Sequence, residues 1–245
     1  MSTVIVTRSS DGIFGLQLDD RPHSNCLGDV LCADLTDALT TLAADTRVKV
    51  LVVSGASDLF CGGASRQMLD RLVAGGASVR DLALPSLLIG FPVPVVAALE
   101  GDAIGGGLML ALSCDIVIAA ESRRYGLNFT TLGFAPGMGA TGLLPSLVGH
   151  AMAIEMLLSG KFYKGRELVH RGLFNAVVPH DRVREVASEH AGRIAERPRY
   201  VIEIVKQALA EPRLRVLNEA LAREHGLQRK CFARSDIAAT IAASY

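Results

Sequence analysis

The chain carries no surplus charge: its 245 residues hold 25 Lys and Arg against 25 Asp and Glu. That balance argues against nucleic-acid binding and against a polybasic contact with a membrane surface. The five cysteines, Cys26, Cys32, Cys61, Cys114 and Cys231, are odd in number and lack metal-ligand spacing. Cys61 and Cys114 stand in apolar or glycine-rich stretches and read as small buried hydrophobes. No G-x-x-x-x-G-K-[ST] occurs, and the glycines do not follow G-x-G-x-x-G, so neither nucleotide fingerprint is present. The longest apolar stretches are interrupted by Pro, Gly or charge and read as too short to cross a bilayer. Met1-Ser2-Thr3-Val4 leads straight into strand-like sequence without a signal-peptide pattern. The expectation is a soluble, reduced, cytoplasmic protein. Half of the residues are hydrophobic and none is tryptophan. With so little net charge, such a composition suits a chain that hides surface in an oligomer. The length suits one large domain, or a domain with a smaller appendage.

Against those absences stands a concentration of glycine. Pro92 to Leu99 is an apolar run that reads as a buried strand. Glu100-Gly101-Asp102-Ala103-Ile104-Gly105-Gly106-Gly107 follows it, and Leu108 to Leu112 then reads as a helix. Three consecutive glycines cost chain entropy, so some close approach needs a backbone without Cβ atoms. Close packing of strand on helix is one explanation; aiming unpaired N–H groups at an anion is the other. A second corner of the same kind lies upstream. Val50 to Val53 reads as a buried strand, and Asp58-Leu59-Phe60-Cys61-Gly62-Gly63-Ala64-Ser65 follows it ahead of an amphipathic stretch. Two such corners can set two N–H donors around one oxygen, the arrangement of an oxyanion hole.

The rest of the chain alternates. Thr3 to Thr7 and Ile13 to Leu18 read as strands joined at Ser9-Ser10-Asp11-Gly12. Leu27 to Asp45 has apolar residues at helical spacing. Strands are expected at Val48–Val53, Val93–Leu99, Ile116–Ala119 and Tyr125–Leu127, with helices between. Ser65 to Leu88 reads as helical and interrupted by the pair Gly75-Gly76, where a mobile loop is expected. Helices are expected at 140–148 and 151–158, with a connection at 160–165. From there the chain reads as almost purely helical, over 165–172, 181–196, 200–210 and 214–234, punctuated by Pro198 and Pro212. The order suits a coiled, layered α/β core over residues 1–190. A helical C-terminal region, 191–245, is expected to pack on its own or a neighbouring core and to cover the site.

The segments F-C-G-G-A from Phe60, G-D-A-I-G-G-G-L from Gly101, S-C-D-I-V-I-A from Ser113 and G-F-A-P-G-M-G-A-T from Gly133 resemble the crotonase (enoyl-CoA hydratase/isomerase) superfamily over nearly the whole chain. The resemblance implies a spiral of ββα units and a trimer or hexamer of stacked trimers. It also implies an oxyanion hole made by the backbone N–H groups of Ala64 and Gly106. One such donor is worth about 3–4 kcal/mol in the transition state. Hydratases of this family position water with two glutamates. Their places are taken here by Met109 and Phe129, so neither general acid nor general base is available for hydration. An apolar pocket instead strips water from a substrate carboxylate, which favours loss of CO₂ as charge moves onto the thioester oxygen.

A closer resemblance agrees. F-C-G-G-A-S-R, Y-G-L-N-F-T-T-L-G-F-A-P-G-M-G-A-T and E-M-L-L-S-G-K-F-Y-K-G-R-E-L are similar to the crotonase-like enzymes of polyketide β-branching. The resemblance implies a 3-methylglutaconyl-type thioester on acyl carrier protein, or a related CoA thioester, as substrate. Decarboxylation is the expected reaction, with dehydration or isomerisation as the alternative, and no metal, flavin or nucleotide cofactor. Decarboxylases of that group carry a lysine near Arg66, or a tyrosine and a lysine where Met68 and Leu72 stand, and a histidine near Gln228. Arg66 therefore reads as a ligand of the substrate carboxylate or as a solvated helix-start residue. His225 reads as a proton donor or a surface residue, and Gln228 as a hydrogen-bonding substitute for it. Asn128 reads as a turn-former or a substrate donor. Asp70 is expected to pair with Arg66 or Arg71, and His23 with Asn25 to build a structured turn.

Overall fold

In a computed structural model, the structure describes residues 2–9, 11–75 and 83–243. Strands Val4–Arg8 (β1) and Ile13–Leu18 (β2) pair antiparallel, and β2 turns Phe14, Leu16 and Leu18 inward at the two-residue period of a half-buried strand. Helix Asp29–Ala44 (α1) buries Leu31, Leu35, Leu39 and Leu42 along one stripe. After it the chain repeats a unit. Strand Val50–Ser54 (β3) is followed by the short strand Leu59–Cys61 (β4) and helices Arg66–Val73 (α2) and Leu84–Ile89 (α3). Val95–Leu99 (β5) is followed by Asp102–Ile104 (β6) and helix Gly106–Leu112 (α4). Ile116–Ala120 (β7), Arg124–Gly126 (β8) and helix Ala140–Ser159 (α5) repeat it again.

Each turn of this coil adds one strand to each of two sheets. The larger has the order β1-β2-β3-β5-β7 and ends in Ala176–Val178 (β10); the smaller runs β4-β6-β8 and ends in Phe162–Lys164 (β9). Helical crossovers between successive turns make the pairings β3–β5–β7 and β4–β6–β8 parallel. The expected ββα spiral with a helical C-terminal region is the architecture seen. The unbroken apolar run at 95–99 has a direct cause: β5 is covered on both faces. Val95, Ala97 and Leu99 face the main core, while Val96 and Ala98 face helix Val183–Ala195 (α6) through its Ala187 and Ala191. Residue 190, the soft boundary drawn from sequence, lies inside α6.

Several local expectations need correction. Residues 165–172 are not a helix: only Gly165–Glu167 make one 3-10 turn, where the Glu167 carboxylate accepts from the Lys164 N–H at 2.7 Å. The connection before it contains β9, and β4, β6 and β10 also stand where no strand is expected, because so short a strand shows almost no period. Pro212 does not end a helix. Arg199–Phe232 (α7) is continuous through it, at the loss of one backbone bond. Buried ties hold it on both sides: Lys206 Nζ reaches both oxygens of Asp115 at 2.6 and 2.7 Å, and Arg213 donates to the Leu112 and Cys114 carbonyls. Helix α5 is, by length and composition, long and apolar enough to cross a membrane, contrary to the sequence reading. It is kinked at Gly149 (φ 75°), between the two segments expected, and packs against α7. A last short helix, Ile237–Ala242 (α8), buries Ile237 and Ile241. Gly76 and the expected loop beyond it lie outside the described residues.

Candidate active site

Two glycine corners leave adjacent parallel strands at the same end. From β4 the chain turns at Gly63 (φ +90°); from β6 it turns at Gly105 (φ +54°) into α4. Both conformations disfavour a side chain. Space forbids one as well. A Cβ on Gly63 would stand 2.8 Å from the Ile104 carbonyl and 3.6 Å from the Gly106 nitrogen, and one on Gly107 would stand 2.7 Å from the Cys61 Cβ. The glycines are thus required because the corners pack backbone on backbone. Gly106 is the first residue of α4, so the helix offers its N–H no partner.

The first corner is fixed from the other side by Leu27, which bridges Ala64 in parallel. The Leu27 N–H donates to the Gly63 carbonyl at 2.6 Å, and the Ser65 N–H donates to the Leu27 carbonyl at 3.2 Å. These bonds use the residues flanking Ala64, so its own N–H faces away from Leu27. The turn that delivers Leu27 is a built structure, as expected for His23 and Asn25. His23 Nδ1 lies 2.7 Å from Asp20 Oδ1. The buried Asn25 accepts from the Asp20 N–H at 2.7 Å and donates to the Phe60 carbonyl at 3.1 Å.

A cavity of about 40 Å³ lies between the corners. Gly63, Ala64, Gly105 and Gly106 form one wall; Met68, Leu69 and Leu72 of α2 form another; Phe129, Leu132, Phe134 and Met138 close it. The polar side chains on the lining are Asn128 and Gln228, and no carboxylate, histidine, lysine or arginine is among the described residues that line it. Asn128 Oδ1 sits 2.8 Å from where a Cβ on Gly105 would stand. Gln228 Nε2 donates to the Ala135 and Pro136 carbonyls at 3.2 and 3.3 Å.

The structure therefore gathers Ala64, Gly106, Asn128, Phe129 and Gln228 into one chamber. It leaves three sequence candidates off the lining. Met109 is fully buried within α4. Arg66 begins α2 and pairs with Asp70, Nε to Oδ1 at 2.9 Å, the helical pairing expected for Asp70. His225 is half-buried on α7. The thiol of Cys61, packed against Gly107, is inert: burial pushes it up to about 12.

Sequence reasoning missed Glu224. It is 1% exposed and accepts from the Gly139 N–H at 2.8 Å, the Thr141 N–H at 2.7 Å and the Thr141 hydroxyl at 2.8 Å. It thereby caps the start of α5. Burial raises its pKa above the ordinary carboxylate range in spite of those donors. The signal available was spacing: Glu224 stands one helical turn before Gln228 and shares its face.

The family model described as enoyl-CoA hydratase/isomerase matches residues 8–243. The bacillaene synthase decarboxylase PksI of Bacillus subtilis is 32% identical over 244 residues, covering 100% of this chain and 98% of its own. The 2,3-dehydroadipyl-CoA hydratase of Escherichia coli is 34% identical over 228 residues, covering 93% and 89%. A solved structure from a dehydratase/decarboxylase enzyme couple involved in polyketide β-branching superposes with a TM-score of 0.95. It is 31% identical and covers 100% of this chain and 96% of that one.

Proposed function

The chain belongs to the enoyl-CoA hydratase/isomerase family, and from that premise we propose that it is a decarboxylase of a 3-methylglutaconyl-type thioester carried on acyl carrier protein. The observation that carries this reading is the chamber without a carboxylate. Phe129 lines it where a hydratase places a glutamate, and Met109 lies buried behind it. Addition of water has no base there. Decarboxylation needs none: the C–C bond to the carboxylate breaks, CO₂ leaves, and the electron pair passes through the alkene to the thioester oxygen. The N–H groups of Ala64 and Gly106 receive that oxygen as its charge grows. The apolar walls favour the step by withholding water from the substrate carboxylate, which the Asn128 amide orients. A proton from water then quenches the dienolate. Arg66, paired with Asp70 outside the lining, has a structural role in this scheme.

Exposed apolar residues on α7 (Tyr200, Ile204 and Leu209) and on α5 (Ile154 and Leu158) support a homotrimer or a stacked pair of trimers. The second reading, a dehydratase or isomerase of a related acyl-carrier or enoyl-CoA thioester, is favoured by the identity to the dehydroadipyl-CoA hydratase. Mass spectrometry of 3-methylglutaconyl-carrier protein before and after addition of the enzyme separates the two. Loss of the mass of CO₂ is expected; an unchanged carrier alongside turnover of a simple enoyl-CoA would overturn the decarboxylase reading.

A further inference from the structure

The cavity between the corners holds about 40 Å³, whereas a cavity of about 150 Å³ is what admits benzene. A branched acyl chain therefore enters only if part of the lining yields. The glycine corners are locked against backbone, at Ile104 and Cys61, and Leu27 is bonded into the first of them. Phe134 is packed between Phe129 and Phe232, with ring centroids 6.0 and 5.2 Å away.

Met138 differs from all of these. Its side chain is unbranched and 2% exposed, and its sulfur lies 2.8 Å from where a Cβ on Gly106 would stand. Its backbone sits at φ +60°, a region that L residues with long side chains avoid. Something must hold it there, and α7 does so at two points one turn apart. Glu224 accepts three bonds of 2.7–2.8 Å from Gly139 and Thr141 on the C-terminal side of Met138. Gln228 spreads one amide over two carbonyls at 3.2 and 3.3 Å on the N-terminal side. Three bonds of 2.7–2.8 Å onto one carboxyl hold more firmly than two of 3.2 and 3.3 Å from a single amide nitrogen, so the turn is anchored at Gly139 and yields first at Ala135 and Pro136.

We propose that Met138 is the specificity-determining residue for acyl size, a gate over Gly106 that Glu224 anchors and Gln228 latches. The size-selection half rests on the reading of the cavity as an acyl site; the holding half does not. The first arm titrates wild type, Met138→Ala and Met138→Gly with acetyl, butyryl, hexanoyl and octanoyl pantetheine in a calorimeter. Wild-type affinity is expected to fall with chain length, and both variants to bind octanoyl pantetheine about tenfold tighter with acetyl binding unchanged. The second arm follows oxidation of Met138 by hydrogen peroxide, by peptide mass spectrometry, in wild type, Glu224→Gln and Gln228→Ala with melting curves confirming the fold. Met138 is expected to oxidise several-fold faster in both variants while the buried Met109 keeps its rate. An unchanged chain-length profile, or no binding of any thioester, overturns the size selection. Equal Met138 oxidation in all three proteins overturns the holding.

Discussion

The floor and the roof of the chamber are built by different means. The floor is main chain: two corners whose glycines lie against Ile104 and Cys61 so closely that a Cβ would displace backbone. The roof, from Ala135 to Thr141, is held by side chains reaching down from α7, Glu224 and Gln228. A backbone floor is fixed by topology and survives exchange of the residues around it. A side-chain roof is set by a few identities, and that is where one fold is retuned toward different acyl groups.

The comparison breaks most sharply at the floor. Gly107→Val should cut the rate of CO₂ release by roughly 10²–10³, the worth of one misplaced oxyanion donor. Stopped-time mass spectrometry of the carrier reads it, and a rate within a few-fold of wild type would remove the corners from the chemistry. At the roof, Glu224→Ala removes an acceptor from the Gly139 and Thr141 N–H groups and from the Thr141 hydroxyl. It should cost on the order of 1.5–3 kcal/mol of stability at low pH. The pH dependence has a defined sign. The folded carboxyl has a raised pKa, so between the ordinary glutamate value and the raised one the native state holds more protons than the unfolded chain. Wild-type stability from this group is therefore greatest below that window and falls as pH rises through it. The gap between wild type and Glu224→Ala should narrow accordingly in melts taken across the window. Asn128→Ala should weaken substrate binding about tenfold, one lost hydrogen bond, with a smaller change in kcat. Least affected is Arg66→Ala: an exposed helical ion pair contributes about 0.3–0.5 kcal/mol, so CO₂ release should stay within about twofold.

The same division explains what the sequence made legible. The floor announces itself, because Gly105-Gly106-Gly107 and Gly62-Gly63 are conspicuous and each follows an apolar run with one structural meaning. The break in α5 was equally visible, since Gly149 interrupts the helical pattern. The roof was hidden. Glu224 sits between Arg223 and His225, and a polar triplet reads as surface until Gln228, four residues after Glu224, is known to be buried. Pro212 misled for a related reason: its local penalty is real, but Asp115, almost a hundred residues earlier in the chain, supplies the compensation through Lys206. Arg66 was drawn toward the site by proximity to Ala64, whereas the first turn of α2 carries its side chain to Asp70.

The pairing of Leu27 with Ala64 carries a practical corollary. A stretch near the amino terminus, with no reactive group of its own, acts as the brace for half of the amide pair. Trimming the protein as far as residue 28 would spare every group assigned to chemistry and still leave the reaction chamber with a slack wall.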